Sequence, residues 1–373
     1  MGWVIWQAHT DSAAAHAWSE YLADSAGRSI EPMSPLIHLT DEPPNAETPI
    51  PALGAGTLPN DEFYVRCNFP VPHLDAATWR LEVSGAFARP RGWTLDELRA
   101  LPPVERTVTL ECAGNGRTLM SPVPSGTPWG LGAVGTTRFG GARLSDVLAA
   151  SEPNASALEM VFTGADRGHV QLDGAIAYQF NLDAATALGD GPMLAWEMNG
   201  RPLPAEHGFP VRLVVPGQYG MQSVKWLMRI TAVAQPFAGH FPRKYRYRGD
   251  AGVADETPVG PIRVRSLITS PSDGERLPVG PTTVRGIAWS GNGPITDVEV
   301  DAGAGWLPAR LAGTLDDAGG ASFTFDWTPR AAGPHLLAVR ATDQAGNCQP
   351  QASVWNEDGY GNNVVQRISV EAE

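Results

Sequence analysis

The chain has 373 residues, a formal net charge of −13 and 18% charged residues. This length allows two domains with substantial cores, and the 43% apolar content is typical of a globular protein. The acidic excess argues against nucleic acid and an anionic membrane as partners, because both require a basic surface.

The start of the chain gives no sign of export or membrane insertion. No apolar run approaches the roughly 18 residues that a transmembrane helix needs. The first residues, MGWVIW, include no basic residue and do not continue into the long apolar core of a secretory signal. We therefore predict a cytoplasmic location, and a periplasmic one only if a signal has been removed.

Residues 1–58 predict an N-terminal arm. An alanine-rich run at residues 12–25 favours a weak helix, and seven prolines between residues 32 and 59 exclude long regular elements. We expect this arm to extend over the domain that follows.

Residues 59–248 predict a mixed α+β domain. Strand-like runs at residues 107–110, 159–163 and 211–215 alternate with short helical segments, for which Thr94 and Ser145 are suitable N-caps.

A basic aromatic connector, residues 241–248, leads into a compositionally different tail, residues 249–373. Segments of alternating character, separated by Pro, Gly, Asn and Asp, predict strands at residues 262–268, 282–289, 295–302, 322–327, 335–342 and 364–370. This spacing is typical of an all-β antiparallel sandwich of immunoglobulin type.

The three cysteines, Cys67, Cys112 and Cys348, are widely spaced and indicate neither a disulfide framework nor a zinc site. Cys112 follows a strand-like run and opens a glycine-rich loop, CAGNGR. A thiolate there could bind a soft metal, and the glycines would let the backbone approach a bulky cofactor. A buried free cysteine before a turn is the alternative that these residues alone leave open.

The loop resembles the C-A-G-N-x-R motif of the sulfite oxidase family of molybdenum enzymes. Residues 63–72 (FYVRCNFPVP) resemble the family's F-F-V-R-N-H-x-P-V-P segment, and residues 132–148 (GAVGTTRFGGARLSDVL) resemble its G-A-x-S-T-A-R-W-x-G-A-R-L-x-D-V-L segment. Residues 197–230 are similar to another family signature almost throughout. The similarity runs in the family's order from about residue 59 to the C-terminus.

The resemblance implies a metal and substrate site. It implies molybdenum bound by one molybdopterin, a pyranopterin dithiolene, and by the thiolate of Cys112. It also implies that Arg66 and Arg117 contact the substrate anion, that Tyr178 forms a hydrogen bond near the reactive oxygen, and that Trp129 forms a wall of the pocket.

The resemblance also implies a set of cofactor-binding residues. His207, Arg212 and Lys225 correspond to positions that bind the phosphate of the pterin, and Asp166 to a hydrogen-bond acceptor for the pterin. Asn68 stands where the family has a histidine, and we place it with the cofactor-binding residues.

The activity implied is oxidation of sulfite to sulfate. Electrons would pass to an external acceptor such as a cytochrome, because no haem is expected in this chain, and the C-terminal domain would join two copies in a homodimer. Two alternatives stay open: a reductase of a sulfoxide, another S-oxide or another oxyanion, and a non-catalytic binding or assembly module.

Gly116 and Asp358 depart from the family pattern. Asp358 replaces an arginine of the animal enzymes, and we expect it to weaken sulfite binding.

Overall fold

The computed structural model describes residues 35–249 and 256–373. The alanine-rich run at residues 12–25 lies outside the described residues. The described chain is mostly β, with a few short helices, and it ends in a β domain. The predicted C-terminal β domain is therefore confirmed, whereas the α+β label for the first domain is not, because its helices are few and short.

The α-helices of the described residues have five or six residues each. They are α1 (Leu95–Arg99), α2 (Leu144–Ala149), α3 (Ala184–Leu188) and α4 (His240–Lys244). Short 3-10 segments lie at Ile50–Ala55, Asn60–Glu62, Arg117–Leu119, Ala205–His207 and Gly220–Gln222. No helix within residues 35–249 and 256–373 has the length and apolar character needed to cross a membrane.

The two predicted helix caps have different outcomes. Thr94 caps α1, because its side chain accepts a hydrogen bond from Glu97 N while the Glu97 carboxylate accepts one from Thr94 N. The cap predicted at Ser145 is wrong, because α2 begins one residue earlier and contains Ser145 in its first turn.

The end of the N-terminal arm forms an antiparallel sheet with the start of the main domain. Its strands are β1 (Ile37–Thr40), β2 (Asn45–Glu47) and β3 (Val65–Arg66). Asn45 pairs with Arg66 in this sheet, so the arm fixes the backbone of a predicted site residue.

Two five-stranded sheets contribute to the core of the first domain. One has the order β11-β10-β7-β6 with β12 beside β10, from β6 (Pro103–Glu111), β7 (Val134–Arg143), β10 (Met193–Met198), β11 (Arg201–Pro202) and β12 (Arg212–Val214). The other has the order β5-β4-β13-β8-β9, from β4 (Leu81–Gly85), β5 (Arg91–Trp93), β8 (Glu159–Val170), β9 (Gly174–Asp183) and β13 (Leu227–Val233). Phe139, Phe162 and Leu213 are fully buried in the shared core.

The C-terminal domain contains two sheets around a second core. A short ladder of β14 (Arg246–Tyr247) and β15 (Thr257–Pro258) precedes it. One sheet has the order β16-β18-β22-β21, from β16 (Arg265–Ser270), β18 (Thr282–Trp289), β21 (Arg310–Thr314) and β22 (Ala321–Trp327). The other has the order β17-β24-β23-β19-β20, from β17 (Arg276–Leu277), β19 (Ile295–Asp301), β20 (Trp306–Pro308), β23 (Gly333–Asp343) and β24 (Gln366–Ala372). Val284, Phe323 and Leu337 are buried in this second core.

Candidate functional site

Cys112 lies where β6 ends, as the sequence predicts. We call residues 112–117 the thiol loop. Cys112 N donates to Ala133 O at 2.9 Å, and Cys112 O accepts from Asn115 N at 2.9 Å. The Asn115 side chain also binds the adjacent segment, since its Oδ1 accepts from Ala133 N at 3.1 Å. The strand and these bonds hold the buried thiol at the edge of a cavity.

Two glycines allow the thiol loop to close around Arg117. A Cβ on Gly114 would lie 2.6 Å from Arg117 Nη2, which is too close for any side chain without displacing the guanidinium. Gly116 has a φ of +79°, in the left-handed region that favours glycine. Each glycine of the CAGNGR motif therefore has a local reason: Gly114 leaves room for the guanidinium, and Gly116 allows the left-handed backbone.

The cavity beside Cys112 has a volume of about 690 Å³, part of it open to solvent. Most of the residues that the sequence assigns to the site line it. They are Arg66, Asn68, Cys112, Asp166, Tyr178, His207, Arg212 and Lys225.

Part of the cavity wall is cationic. Buried Arg212 donates from Nη1 to His207 O at 2.9 Å and from Nη2 to Ser223 O at 3.2 Å, so these bonds end on carbonyls rather than on a carboxylate. Lys225 Nζ lies 3.2 Å from Cys67 Sγ. Burial lowers the pKa of Arg212 to about 10 and also lowers the pKa of Lys225. A buried and a half-buried cation on one cavity wall favour an anionic ligand.

His207 belongs to the same wall but is neutral. Burial, with the nearby charges of Lys225 and Arg212, lowers the pKa of His207 to about 3. His207 Nε2 lies 3.1 Å from Asn60 O, a carbonyl that can only accept, so the ring proton is on Nε2. Nδ1 is then free to act as an acceptor.

Asp166 lines the cavity with an incompletely satisfied carboxyl group. It is 4% exposed, and its Oδ1 has no hydrogen-bond partner among the residues that the structure describes. Burial raises the pKa of Asp166 to about 7, although Lys225 acts in the opposite direction. Such a group fits a ligand that can hydrogen-bond to it.

Arg66 presents a guanidinium to the same cavity. Its Nη2 donates to Asn68 Oδ1 at 2.7 Å, and its Nη1 donates to Asn45 Oδ1 at 3.2 Å and to Cys67 O. Asn68 therefore orients a predicted substrate-binding arginine, a contact that the sequence does not reveal.

Tyr178 donates from Oη to Met221 O at 2.7 Å, and its ring centroid lies 4.2 Å from that of Phe241. Burial raises the pKa of Tyr178 well above its usual value, so the hydroxyl keeps its proton. It can accept a further hydrogen bond from a ligand while it donates to Met221 O.

Arg117 and Trp129 lie outside the cavity lining. Arg117 is enclosed by the thiol loop, where Nε donates to Asp358 O at 3.0 Å and Nη1 donates to Thr127 O at 2.6 Å. Trp129 is 1% exposed and packs edge-on against Tyr64, with centroids 6.5 Å apart. The prediction of a pocket wall at Trp129 needs correction, because Tyr64, which contacts this indole, lines the cavity and Trp129 does not.

Sequence reasoning missed several cavity residues, of which Tyr245 is the clearest. Tyr245 follows α4, lines the cavity and hydrogen-bonds through its side chain to Asn68. The basic and aromatic residues of the connector were the only indication in the sequence, and composition does not predict which aromatic side chain faces the cavity. Cys67, expected to be only structural, also lines the cavity beside Lys225.

The lining fits a molybdopterin cofactor in its donor set. A thiol from Cys112 suits a soft metal, the cations Arg212 and Lys225 suit a phosphate, and the unpartnered Asp166 Oδ1 suits the polar edge of a pterin.

Comparison with known proteins agrees with this fit. Residues 68–241 match a family described as the oxidoreductase molybdopterin binding domain, and residues 257–373 match the Mo-co oxidoreductase dimerisation domain. The mitochondrial sulfite oxidase of Macaca fascicularis is 34% identical, over 99% of this chain and 74% of its own length. The chain belongs to the sulfite oxidase family.

Two further relatives span nearly all of their own length. The sulfite oxidase of Arabidopsis thaliana is 32% identical over 88% of this chain and 91% of that protein. The sulfane dehydrogenase SoxCD of Paracoccus pantotrophus has a solved structure with a TM-score of 0.79 and 27% identity, covering 94% of this chain and 92% of that one. The predictions of this family, of an oxidoreductase and of a molybdenum cofactor are thereby confirmed.

Proposed function

We propose that this chain oxidises sulfite to sulfate at a molybdenum centre held in the cavity beside Cys112 and passes the electrons to an external acceptor. The observation that supports this most is the meeting of a thiol, the cations Arg212 and Lys225, and the guanidinium of Arg66 around one cavity. Relatives named as sulfite oxidases match nearly the whole chain. The alternative of a reductase acting on S-oxides is not favoured.

Four residues would hold the cofactor. Cys112 would bind the metal as a thiolate, and Arg212 and Lys225 would bind the phosphate of the pterin. Asp166, whose Oδ1 is unpartnered, would exchange a hydrogen bond with the pterin ring. When bound, the cofactor supplies a two-electron redox change and the transfer of an oxygen atom.

The substrate side depends on residues of this chain. Arg66 would bind sulfite through charge-assisted hydrogen bonds, and Asn68 keeps its guanidinium in place at 2.7 Å. Tyr178 keeps its proton and its bond to Met221 O, so it would orient a ligand oxygen without transferring a proton. Arg117 would add positive charge from behind the thiol loop.

Three finer features belong to the same proposal. The C-terminal domain is an immunoglobulin-like sandwich, supported by its two sheets around a separate core, and it would join two copies of the chain. The division at residues 59–248 and 249–373 is supported by this second core, which contains only residues of the C-terminal domain. The cytoplasmic location and the cytochrome-like acceptor stay predictions from the sequence.

The test is metal content and activity of protein made in a host that synthesises the cofactor. We expect stoichiometric molybdenum and sulfite-dependent reduction of an artificial acceptor. Cys112→Ser should lose the metal, because a hydroxyl is a poor soft-metal ligand. Cys348→Ser, at an exposed cysteine, is the matched control and should keep both properties. Parent protein that contains no molybdenum, or that reduces a sulfoxide but does not oxidise sulfite, would contradict the proposal.

A further inference from the structure

We propose that the C-terminal domain positions the thiol of Cys112 through a buried ion pair between Arg265 and Glu111, which makes Glu111, Arg265 and Trp289 positioning residues of the metal site. This rests on the proposed role of Cys112 as the metal ligand.

Glu111 is the last residue of β6 and directly precedes Cys112. Its carboxylate is fully buried, and both oxygens are engaged. Oε1 accepts from Asn115 Nδ2 at 3.0 Å and lies 3.1 Å from Arg265 Nε, and Oε2 accepts from Trp289 Nε1 at 2.8 Å. Arg265 and Trp289 belong to β16 and β18, so two of the three partners come from the C-terminal domain.

The same domain also binds the backbone of the thiol loop. Arg265 Nη2 donates to Asn115 O at 3.2 Å, and Asn362 Nδ2 donates to Gly116 O at 2.7 Å. Gly361 N donates to Ala113 O at 2.7 Å. Three carbonyls of the thiol loop, those of residues 113, 115 and 116, therefore accept hydrogen bonds from the C-terminal domain.

The thiol loop is thus confined from two sides. Arg117 fills its interior against Gly114, and Arg265 covers it outside, where a Cβ on Gly116 would lie 3.2 Å from Arg265 Nη1. The apolar core is continuous across this boundary, since Trp289 and Tyr360 belong to the same buried cluster as Cys112. Loss of the Arg265 side chain would free the outer face of the loop and change the direction of the thiol.

Two roles of the ion pair, stabilising the fold and positioning the Cys112 thiol, predict different results in variants. Removing one partner leaves an uncompensated buried charge and destabilises the fold, whereas removing both charges restores much of the stability. Only a positioning role predicts that the thiol loop stays altered when the fold has recovered, because the bond from Arg265 to Asn115 O is still missing.

The experiment measures the alkylation rate of Cys112 by iodoacetamide in the cofactor-free full chain, with exposed Cys348 as the internal reference. The variants are Arg265→Met and the double variant Glu111→Gln with Arg265→Met. Arg340→Met is the control, because Arg340 pairs with Glu299 inside the same domain without contacting the thiol loop. We expect Cys112 to react about tenfold faster in Arg265→Met and at least severalfold faster in the double variant. Alkylation of a buried thiol requires local opening, so a roughly tenfold larger equilibrium constant for opening of the thiol loop gives a roughly tenfold faster reaction.

The double variant decides the question. If it recovers the melting temperature and Cys112 still reacts fast while Arg340→Met reacts at the parent rate, the ion pair positions the thiol. A parent-like rate in the double variant, or an equal increase in Arg340→Met, would overturn the proposal. Molybdenum-loaded samples add a second readout, because the positioning role predicts a shifted metal absorption spectrum in the double variant. Parent protein that binds no molybdenum would refute the proposed function instead, since the alkylation rates do not depend on the metal.

Discussion

Arg248 Nη1 lies 2.8 Å from Asp358 Oδ2, so the acidic residue that replaces a family arginine is neutralised by an arginine of the connector. The backbone of Asp358 serves a second arginine, since its carbonyl accepts from Arg117 Nε at 3.0 Å. Asp358 therefore fixes two cations near the site. This pairing weakens the electrostatic penalty against sulfite that the sequence predicts.

The first prediction concerns this pair. Asp358→Asn keeps the backbone bond to Arg117 but removes one of the two carboxylates that pair with Arg248 and leaves only Glu256, so the KM for sulfite should fall about twofold at low ionic strength. The fall should disappear as salt is added. Glu357→Gln, at the neighbouring exposed carboxylate, is the control. An equal fall in the control would show that overall charge, and not the release of Arg248, is responsible.

The second prediction separates substrate binding from metal binding. Arg66→Met should raise the KM for sulfite about tenfold or more, because it removes charge-assisted hydrogen bonds worth roughly 1.5–3 kcal/mol. Molybdenum content should stay close to that of the parent, since Arg66 is assigned to the anion. Steady-state kinetics and metal analysis of the same samples check this. A collapse of metal content with an unchanged KM would assign Arg66 to the cofactor.

The third prediction concerns the phosphate of the cofactor. Arg212→Met and Lys225→Met should each lower the molybdenum and pterin content, because a buried phosphate would lose one of its cationic partners. Arg229→Met is a matched control from the same part of the chain, where Arg229 is exposed and pairs with Glu82. Cofactor content measured after gel filtration distinguishes the variants, and equal loss in Arg229→Met would contradict the assignment.

The fourth prediction is a pH dependence of stability in the cofactor-free protein. Burial raises the pKa of Asp166 from its usual 3.8 to about 7. Between these pH values Asp166 is ionised in the unfolded state but protonated in the folded state, so the free energy of unfolding falls as the pH rises. The stability from this group is complete below pH 3.8 and is lost as the pH rises through about 7. The difference is at most on the order of 4 kcal/mol.

Asp166→Asn removes this effect and gives the measurement. Its melting temperature should exceed that of the parent at pH 8, and the advantage should shrink towards pH 4. Asp326→Asn, at an exposed aspartate, should follow the parent across the range. A constant difference between Asp166→Asn and the parent at all pH values would rule out titration of Asp166 as the cause.

The sequence determined those features that depend on neighbouring residues. The alternation in residues 107–110 predicts β6, and the glycines that follow predict the turn at Cys112, because both patterns reflect backbone geometry over a few residues. The strand β18 matches its predicted bounds for the same reason. The strand β21 was missed because all its residues are exposed, so it lacks the apolar alternation that indicates a half-buried strand.

The tertiary structure decided every contact between distant parts of the chain. Arg248 and Asp358 are 110 positions apart, and Glu111 and Trp289 are 178 positions apart, so no pattern of neighbouring residues predicts either contact. The family motif predicted Trp129 in the pocket wall, but Tyr64, which packs against it, lines the cavity instead. The sequence determines the chemistry of each side chain. The direction of each side chain depends on which surfaces the folded sheets bring together, and because burial of apolar area is not directional, the sequence pattern alone does not predict those surfaces.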